Sequence, residues 1–480
     1  MKTQYIPKGK RKKILLLGDD LRMHSGVATM LRETVLNSSN HFSWIQLGGA
    51  IKHPDKGKRF DLSEETNKHY DVDDSEIFVI PVDGYGDAQL IRDAIKTEKP
   101  DALMMMTDPR YYVWLFQIEN EIRRQIPIIY LNIWDDYPAP LYNEDYYRSC
   151  DGFAAISKQT ANINRIVLGE EADNKVIKYV PHGIDSKVFR PLTSEDKDWE
   201  NFQKYKKQVL GDKEYEFVWY YNARNIRRKQ TSDMFAAWRI FCEKIGPEKA
   251  KKCAFLLHTQ VRDQNGTALD EVRDLLCEPG IHGDIIFWDK IVSATEMNYL
   301  YNMTDMTSLL SANEGWGLSL TEAMMCGKMI MATVTGGMQD QMRFVDNDGK
   351  WIEFDDDFCS NHFGTYKEHG EWAIPIFPAC MSIQGSIPTP YIFDDRMDFR
   401  DAADGLVKAF EMGPEERNRR GKLAREWVTS EESRMSAEYM GLGIAETINE
   451  TIENFTPRKN YTFTKIEEPK VKKIRHKFVY

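Results

Sequence analysis

Two glutamates eight residues apart bracket the run Glu314-Gly315-Trp316-Gly317-Leu318-Ser319-Leu320-Thr321-Glu322-Ala323-Met324. The glycines let a ligand approach the main chain closely, and a helix opening beside them offers free N–H groups to an anion. One carboxylate in the loop and another two helical turns on can each accept hydrogen bonds from sugar hydroxyls. Cys326-Gly327, the apolar run Met329–Val334 and Thr335-Gly336-Gly337 follow directly, which argues against a simple capped helix with one buried glutamate. A second cluster is Asn222-Ala223-Arg224-Asn225-Ile226-Arg227-Arg228-Lys229-Gln230, just after the apolar run Phe217–Tyr221. Four cations at a strand end can neutralise a diphosphate.

Weaker signals lie elsewhere. Ser25-Gly26 sits in a polar loop after the first apolar run and before a helix-like pattern. Asn132-Ile133-Trp134-Asp135-Asp136-Tyr137-Pro138 brings two carboxylates to a strand end; Asp135 or Asp136 could polarise an acceptor hydroxyl, or one could cap the turn. Trp288-Asp289-Lys290-Ile291 follows another apolar run, and His182-Gly183-Ile184-Asp185 reads as a hinge with a structural histidine. Cys359, His362, His369 and Cys380 share a segment, but their spacings match no zinc pattern and they read as structural.

These groups need a scaffold, and the hydrophobic pattern supplies one. Short apolar runs at Ile14–Leu17, Trp44–Leu47, Ile77–Val82, Ala102–Thr107, Ile126–Ile133 and Phe153–Ile156 alternate with helical spacing, as in Ala88–Lys96 and Tyr112–Arg124. Such alternation predicts a parallel sheet covered on both faces. It pauses over Pro181–Pro191 and the charged stretch Glu195–Lys213, then resumes at Phe217–Tyr221, Ala254–His258, Ile285–Trp288, Met306–Leu310 and Met329–Val334. The fold class is therefore α/β, with two doubly wound units and a boundary near residue 190. Residues 352–395, rich in Pro and Gly, read as an irregular insertion, and helical spacing returns from Phe399 through Ile452. In such sheets ligands bind beyond the carboxyl ends of the strands, where the candidate groups stand. Two units face to face would enclose them in a cleft.

With its following Gly and the strand ending in Gly-Gly, the Glu314…Glu322-Ala323-Met324 run resembles the nucleotide-sugar signature of family 4 retaining glycosyltransferases with the GT-B fold. The likeness covers roughly residues 12–345 and the C-terminal helices. It implies two Rossmann-like domains facing across a cleft: an acceptor domain over 1–190, a donor domain over 191–440, and over 441–480 a helix and basic tail returning to the first. By that resemblance Glu314 contacts the donor sugar and Glu322 the nucleotide ribose. Arg224 and Lys229 clamp the diphosphate, with Arg228 a possible substitute. Ser25, Gly26, Gly315, Trp316, Gly317 and Leu318 line the donor, and Lys290 and Ile291 meet the base through the backbone. The family's histidine near the sugar has no counterpart in Asn132–Pro138. The Asp135-Asp136 pair is not read as a metal site, since the GT-B scaffold holds its diphosphate with side chains and helix ends. The resemblance implies a metal-independent hexosyl- or pentosyltransferase that uses a nucleoside-diphosphate sugar, UDP-sugar foremost, and needs no cofactor.

Composition bears on the acceptor. The 480 residues carry 64 Lys+Arg and 75 Asp+Glu, a net charge of −11, with 42% hydrophobic content. That balance suits a globular protein and argues against wholesale disorder. No apolar run approaches membrane-spanning length, and Ile14–Leu17 is too short for a signal peptide. Seven scattered cysteines fit reduced thiols in a cytoplasm. The charge is uneven: residues 1–60 hold 12 Lys/Arg against 4 Asp/Glu and residues 457–480 hold 8 against 2, leaving −11 − 14 = −25 for the rest. Solvated tails are one reading; a basic acceptor face, if both ends meet on the first domain, is another. Such a face suits DNA phosphates or an anionic membrane. Lys52-His53-Pro54-Asp55-Lys56-Gly57-Lys58-Arg59 would contact phosphate, and Tyr111, Tyr112, Trp114 and Tyr137 could stack a flipped base. Gly18–Gly26, Ile133–Asp136 and Pro390–Phe393 are similar to glycosyltransferases of T4-type tailed phages, some of which decorate hydroxymethylcytosine. Double-stranded DNA carrying 5-hydroxymethylcytosine is thus the first expected acceptor, in a host cytoplasm. The alternatives are a bacterial envelope polysaccharide or lipid-linked glycan and, from another class, a non-catalytic nucleotide-sugar or glycan binder.

Overall fold

The computed structural model describes residues 3–50, 52, 54–69 and 72–459. The chain divides into two compact units: Met1–Gly183 with Phe354–Cys359 and the chain from Ala437 onward, and Ile184–Glu353 with Ser360–Ser436.

The first unit contains β1 (Lys12–Asp19), β2 (Phe42–Gly49), β3 (Phe60–Asp61), β4 (Ile77–Pro81), β5 (Ala102–Met106), β6 (Ile128–Asn132), β7 (Gly152–Ala155) and β8 (Val176–Tyr179). They form one sheet in the order β3-β4-β2-β1-β5-β6-β7-β8. Neighbours run parallel except at the β3 edge. Ile14–Leu17 and Leu103–Met106 are consecutive apolar residues with almost no exposure, as expected of strands covered on both faces. Helix α1 (Gly26–Ser38) follows β1.

The second unit contains β9 (Phe217–Asn222), β10 (Cys253–His258), β11 (Asp284–Phe287), β12 (Met306–Leu309), β13 (Met329–Thr333) and β14 (Ala373–Ile376), in the parallel order β11-β10-β9-β12-β13-β14. Strand order reverses between β9 and β12, the switch point where doubly wound sheets open a crevice. Helices α2 (Thr231–Ile245) and α3 (Leu318–Met325) follow β9 and β12. β15 (Pro378–Ser386) and β16 (Thr389–Met397) make a separate antiparallel hairpin. α4 (Phe399–Glu411) and α5 (Gly413–Val428) complete this unit.

The last helix, α6 (Ala437–Asn454), belongs to the first unit and packs on α1, β7 and β8. Gly152 permits that approach: a Cβ there would lie 2.1 Å from Thr451 Oγ1. Lys12 Nζ donates to Asn449 Oδ1 at 3.2 Å, and Arg458 N donates to Arg123 O at 2.8 Å. The N-terminal segment and the last helix therefore share a surface of this unit.

Two expectations are corrected. The charged stretch Glu195–Lys213 holds a helix, Trp199–Leu210, rather than a pause. Residues 352–395 are not irregular: they supply β14, β15 and most of β16, while Phe354–Cys359 packs in the first unit, where Asn162 Nδ2 donates to Asp355 O at 2.7 Å. Lys470–Lys477 and His53 lie outside the described residues. No helix of the described residues is long and apolar enough to cross a membrane.

Candidate functional site

In the second unit the loops after β9 and β12 meet at the switch point. The backbone joins them first: Ala312 N donates to Arg228 O at 2.7 Å. Residues Arg227–Lys229 then form a single 3₁₀ turn that sends two cations to one carboxylate. Arg228 Nη1 donates to Glu314 Oε2 at 2.8 Å and to Asn313 O at 2.7 Å. Lys229 Nζ donates to the same Oε2, and Ser311 Oγ lies 3.3 Å from it. Glu314 and Lys229 are each 8% exposed. Burial alone would raise the Glu314 pKa, but Arg228 and Lys229 outweigh it and hold the carboxyl below its ordinary range.

Neighbouring segments brace this loop. Gly337 N donates to Glu314 O at 2.9 Å, and Asp395 N on β16 donates to Ala312 O at 2.8 Å. The buried Asp395 carboxylate in turn accepts from Ser360 Oγ and from Asn361 Nδ2. The hairpin segment thus buttresses the glutamate loop. Gly317, the N-cap of α3, takes φ +96°, a left-handed value that favours glycine.

Glu322 has the opposite environment. It is half-buried on α3 and accepts from Tyr301 Oη at 2.5 Å. Burial pushes its carboxyl up to about 7 against the opposing effect of that hydrogen bond. Two carboxylates eight residues apart are therefore driven to opposite ends of the carboxylate range. Tyr301 Oη also accepts from Asn222 Nδ2 at 2.9 Å, and Asn222 Oδ1 is 3.0 Å from His258 Nδ1. His258 Nε2 lies 2.9 Å from Lys290 O.

Arg224 is not part of the Glu314 cluster. Its side chain is 61% exposed and its Nε donates to Asp263 Oδ2 at 2.7 Å; Arg228, not Arg224, meets Glu314. Trp316 is buried with its indole N–H donating to Thr321 Oγ1 at 3.0 Å, so its ring packs instead of lining a ligand surface. Gly315 is buried and Leu318 partly exposed in the same turn. The Lys290 ammonium lies 4.2 Å from the Trp288 ring centroid, and Ile291 is 89% exposed.

In the first unit Ser25 caps α1: its Oγ accepts from Ala28 N at 3.0 Å and donates to Asp19 Oδ2 at 2.8 Å. Gly26 begins the helix and is exposed. Asp136 is fully buried, accepting from Tyr137 N at 2.7 Å and Gln159 Nε2 at 3.1 Å, so it holds its own turn and does not face an acceptor. Asp135 is half-buried. Of the four aromatic candidates, Tyr112 and Tyr137 are core, Trp114 is half-buried, and Tyr111 is 59% exposed. His182 is buried and its pKa is pushed down to about 3 by that burial.

The cations of the phosphate-contact loop are largely engaged. Lys56 pairs with Asp83, Lys58 with Asp55, and Arg59 with Glu98. Nearby, Arg11 pairs with Asp74 and Arg22 with Asp20. Among the described residues no group of three or more His, Cys, Asp or Glu side chains is arranged to hold a metal ion.

Motif and spacing assign no role to His258 or Tyr301, and mark Asn222 only as the first residue of the cation cluster. The signal that could have found them is position: Asn222 and His258 are polar residues that end apolar strands, where doubly wound sheets place ligand groups.

Residues 202–356 match the family described as Glycosyl transferases group 1. No curated protein matches the chain. Among solved structures, Anabaena HepE in complex with UDP and glucose is 15% identical, covers 92% of this chain and 100% of that one, and superposes with a TM-score of 0.61. Sucrose-phosphate synthase from Thermosynechococcus elongatus is 13% identical over 92% of this chain and 100% of that one, with a TM-score of 0.62. A glycosyltransferase from Rickettsia africae is 14% identical over 93% and 100%, with a TM-score of 0.61. At such identities the likeness carries the fold: the chain has the two Rossmann-like units of the GT-B architecture, and its group 1 match falls within 202–356.

Proposed function

We propose that this protein transfers a sugar from a nucleoside-diphosphate sugar, UDP-sugar first, to an acceptor hydroxyl. The observation that carries the reading is the convergence of Arg228 and Lys229 on buried Glu314 at the β9/β12 switch point, within the segment matching Glycosyl transferases group 1. HepE, whose structure contains UDP and glucose, supports UDP as the nucleotide.

In this reading Glu314 pre-orients the two cations before the donor arrives, so little reorganisation remains when the sugar–oxygen bond breaks. Arg228 and Lys229 then meet the charge developing on the leaving diphosphate. Glu314 accepts from a donor-sugar hydroxyl, Glu322 from the ribose, and backbone groups near Lys290 and Ile291 face the base. No residue forms a covalent intermediate. The diphosphate is held by protein cations, and the reaction is metal-independent: activity should persist in EDTA.

Arg224 and Arg228 should separate cleanly. Arg228→Ala should weaken UDP binding by roughly 10- to 100-fold, the cost of a charge-assisted hydrogen bond, whereas Arg224→Ala should change it less than about threefold, as for an exposed ion pair. Calorimetric titration with UDP measures both; the reverse ranking would return the clamp to Arg224.

For the acceptor we propose 5-hydroxymethylcytosine in double-stranded DNA, on the strength of the basic ends, with +8 in residues 1–60 and +6 in residues 457–480. Asp135, half-buried where Asp136 is fully buried, is our candidate for polarising the hydroxyl. The ion pairs of Lys56, Lys58, Arg59 and Arg11 favour a second reading, an envelope or lipid-linked glycan acceptor, because paired cations release fewer counterions from a polyanion. The test is a panel of nucleotide sugars with hydroxymethylated DNA, plain DNA and glycan acceptors, followed by mass analysis of products. Binding of the DNA should fall by about 10³-fold between 50 and 200 mM salt if six or more phosphates are contacted. A flat response moves the acceptor to the glycan, and UDP-sugar binding without transfer to any acceptor makes the protein a binder.

A further inference from the structure

Four side chains from four elements form one continuous hydrogen-bonded line in the second unit: His258 at the end of β10, Asn222 at the end of β9, Tyr301 on the helix Ala294–Asn302, and Glu322 on α3. The links are His258 Nδ1 to Asn222 Oδ1 at 3.0 Å, Asn222 Nδ2 to Tyr301 Oη at 2.9 Å, and Tyr301 Oη to Glu322 Oε2 at 2.5 Å. At the far end His258 Nε2 meets Lys290 O at 2.9 Å.

The protons in this line are not independent. Lys290 O accepts, so Nε2 of His258 carries hydrogen in every state. With Asn222 Oδ1 towards the ring, Nδ1 must carry hydrogen too, and His258 is an imidazolium. Asn222 Nδ2 then donates to Tyr301, whose own proton points to Glu322, and Glu322 is a carboxylate. Turning the Asn222 amide over reverses each bond. Nδ1 becomes an acceptor and His258 is neutral; Asn222 Oδ1 takes the Tyr301 proton; and Glu322 must supply a proton to Tyr301 Oη. The two arrangements contain the same number of protons. Removing one more proton leaves two lone pairs facing each other somewhere along the line, at the cost of an unmade buried hydrogen bond.

We propose that His258 and Glu322 share one proton through Tyr301 and Asn222, and that a nucleotide ribose donating to Glu322 draws that proton onto His258. His258 is thus a positioning residue for the nucleotide, acting through three others. Ribose hydroxyls favour the carboxylate form of Glu322, and the carboxylate form requires the imidazolium. The exchange runs through water: Glu322 releases a proton to solvent and His258 Nδ1 takes one up, so the net change is zero. Asp289 bears electrostatically on His258, while Tyr301, Tyr220 and Cys326 share the surroundings of Glu322. Burial lowers the His258 pKa and raises that of Glu322. Both directions favour the neutral arrangement before the ribose arrives. Asn222 Nδ2 also lies 3.4 Å from Met297 Sδ, a weak acceptor that favours the charged arrangement.

This inference rests on the nucleotide reading above, and the test separates the two. The full chain is labelled with ¹⁵N-histidine, the His258 ring is assigned with His258→Gln, and UDP is added while calorimetry records binding. The expected result is that UDP converts Nδ1 of His258 from an unprotonated to a protonated nitrogen. In Tyr301→Phe, which cannot pass the parity along, UDP should still bind and Nδ1 should not respond. UDP binding to the wild-type chain with an unchanged His258 ring overturns the shared proton alone. No UDP binding removes the nucleotide reading and this proposal with it. The wild-type measurement decides without Tyr301→Phe, so a folding defect in that variant would leave its outcome intact.

Discussion

Lys229→Ala is expected to lower the rate of sugar transfer by about 10²- to 10³-fold, the loss that follows removal of one preorganised partner of a developing anion. The effect should fall mainly on kcat. Before the donor arrives the Lys229 ammonium is already committed to the Glu314 carboxylate, so its gain on forming the ground-state complex is partly an exchange of one anion for another. Its gain in the transition state is not offset in that way, because the diphosphate acquires charge as the bond breaks. Lys229→Arg, which keeps the charge, should recover part of the loss. Steady-state kinetics with a saturating acceptor measures the split, and an unchanged kcat in the alanine variant would remove Lys229 from the reaction. The same substitution has an acid signature. The folded Glu314 carboxyl titrates below its ordinary value of 4.5, so its ionised form contributes stability that is fully present above the unfolded value and is lost as pH falls through the folded one. With one of its two cations gone the folded value rises towards the unfolded one, so the acid-side loss, which still begins near the unfolded value, should be smaller and complete at higher pH than in the wild-type chain.

The choice between Arg224 and Arg228 shows where the sequence stops being legible. Four cations in six residues read as a candidate anion site, yet which of them turn inward depends on one local event, the 3₁₀ turn over Arg227–Lys229. That turn projects Arg228 and Lys229 to Glu314 and leaves Arg224 upstream, within reach of Asp263. Asp263 belongs to a loop after β10, and no spacing along the chain relates it to Arg224. The glutamate pair was legible for the opposite reason. Both carboxylates and the glycines between them sit on one short strand–turn–helix passage, so local geometry fixes their relation.

The strand–helix alternation exposed both sheets because buried parallel strands are continuous apolar runs, whose pattern survives without knowledge of their neighbours. The strands of 373–397 were masked by proline. Pro375 lies in β14, at the edge of the sheet, where a missing N–H costs no ladder bond. Pro378 begins β15, Pro388 lies in the connection, and Pro390 is near the start of β16. Each is at a position that tolerates proline, but the composition of the segment as a whole reads as loop. Asp136 misled differently: a carboxylate at a strand end looks accessible in sequence, and only the fold shows that Gln159 and the Tyr137 amide enclose it.

Arg417→Ala should destabilise the second unit by about 3–5 kcal/mol, the cost of breaking a buried, hydrogen-bonded ion pair. Its guanidinium, on α5, is 3% exposed and ties together four places. Nε donates to Asp305 Oδ1 at 3.2 Å, Nη1 to Ala409 O and Phe410 O at 3.2 Å each, and Nη2 to Glu216 O at 2.9 Å. Ala409 and Phe410 close α4, where the last carbonyls of a helix have no intrahelical partner. Glu216 and Asp305 immediately precede β9 and β12, and Asp305 Oδ2 itself accepts from Val218 N at 2.8 Å. One side chain thus satisfies a helix end and pins the amino ends of the two switch-point strands, the ends opposite the glutamate site. Alanine leaves the three carbonyls and the carboxylate in place without their donor. Because the chain has two units, a single unfolding midpoint would mix their transitions. Hydrogen exchange read on peptides from β9 and β12 isolates this one, and protection there should fall by about 10²- to 10⁴-fold, while peptides from β1 and β5 stay within a few-fold. UDP affinity of the folded variant should change little, since the strand ends that carry Asn222 and the Glu314 loop keep their own hydrogen bonds. Unchanged protection in β9 and β12 would mean that the guanidinium is accommodated in the fold without holding those strands together.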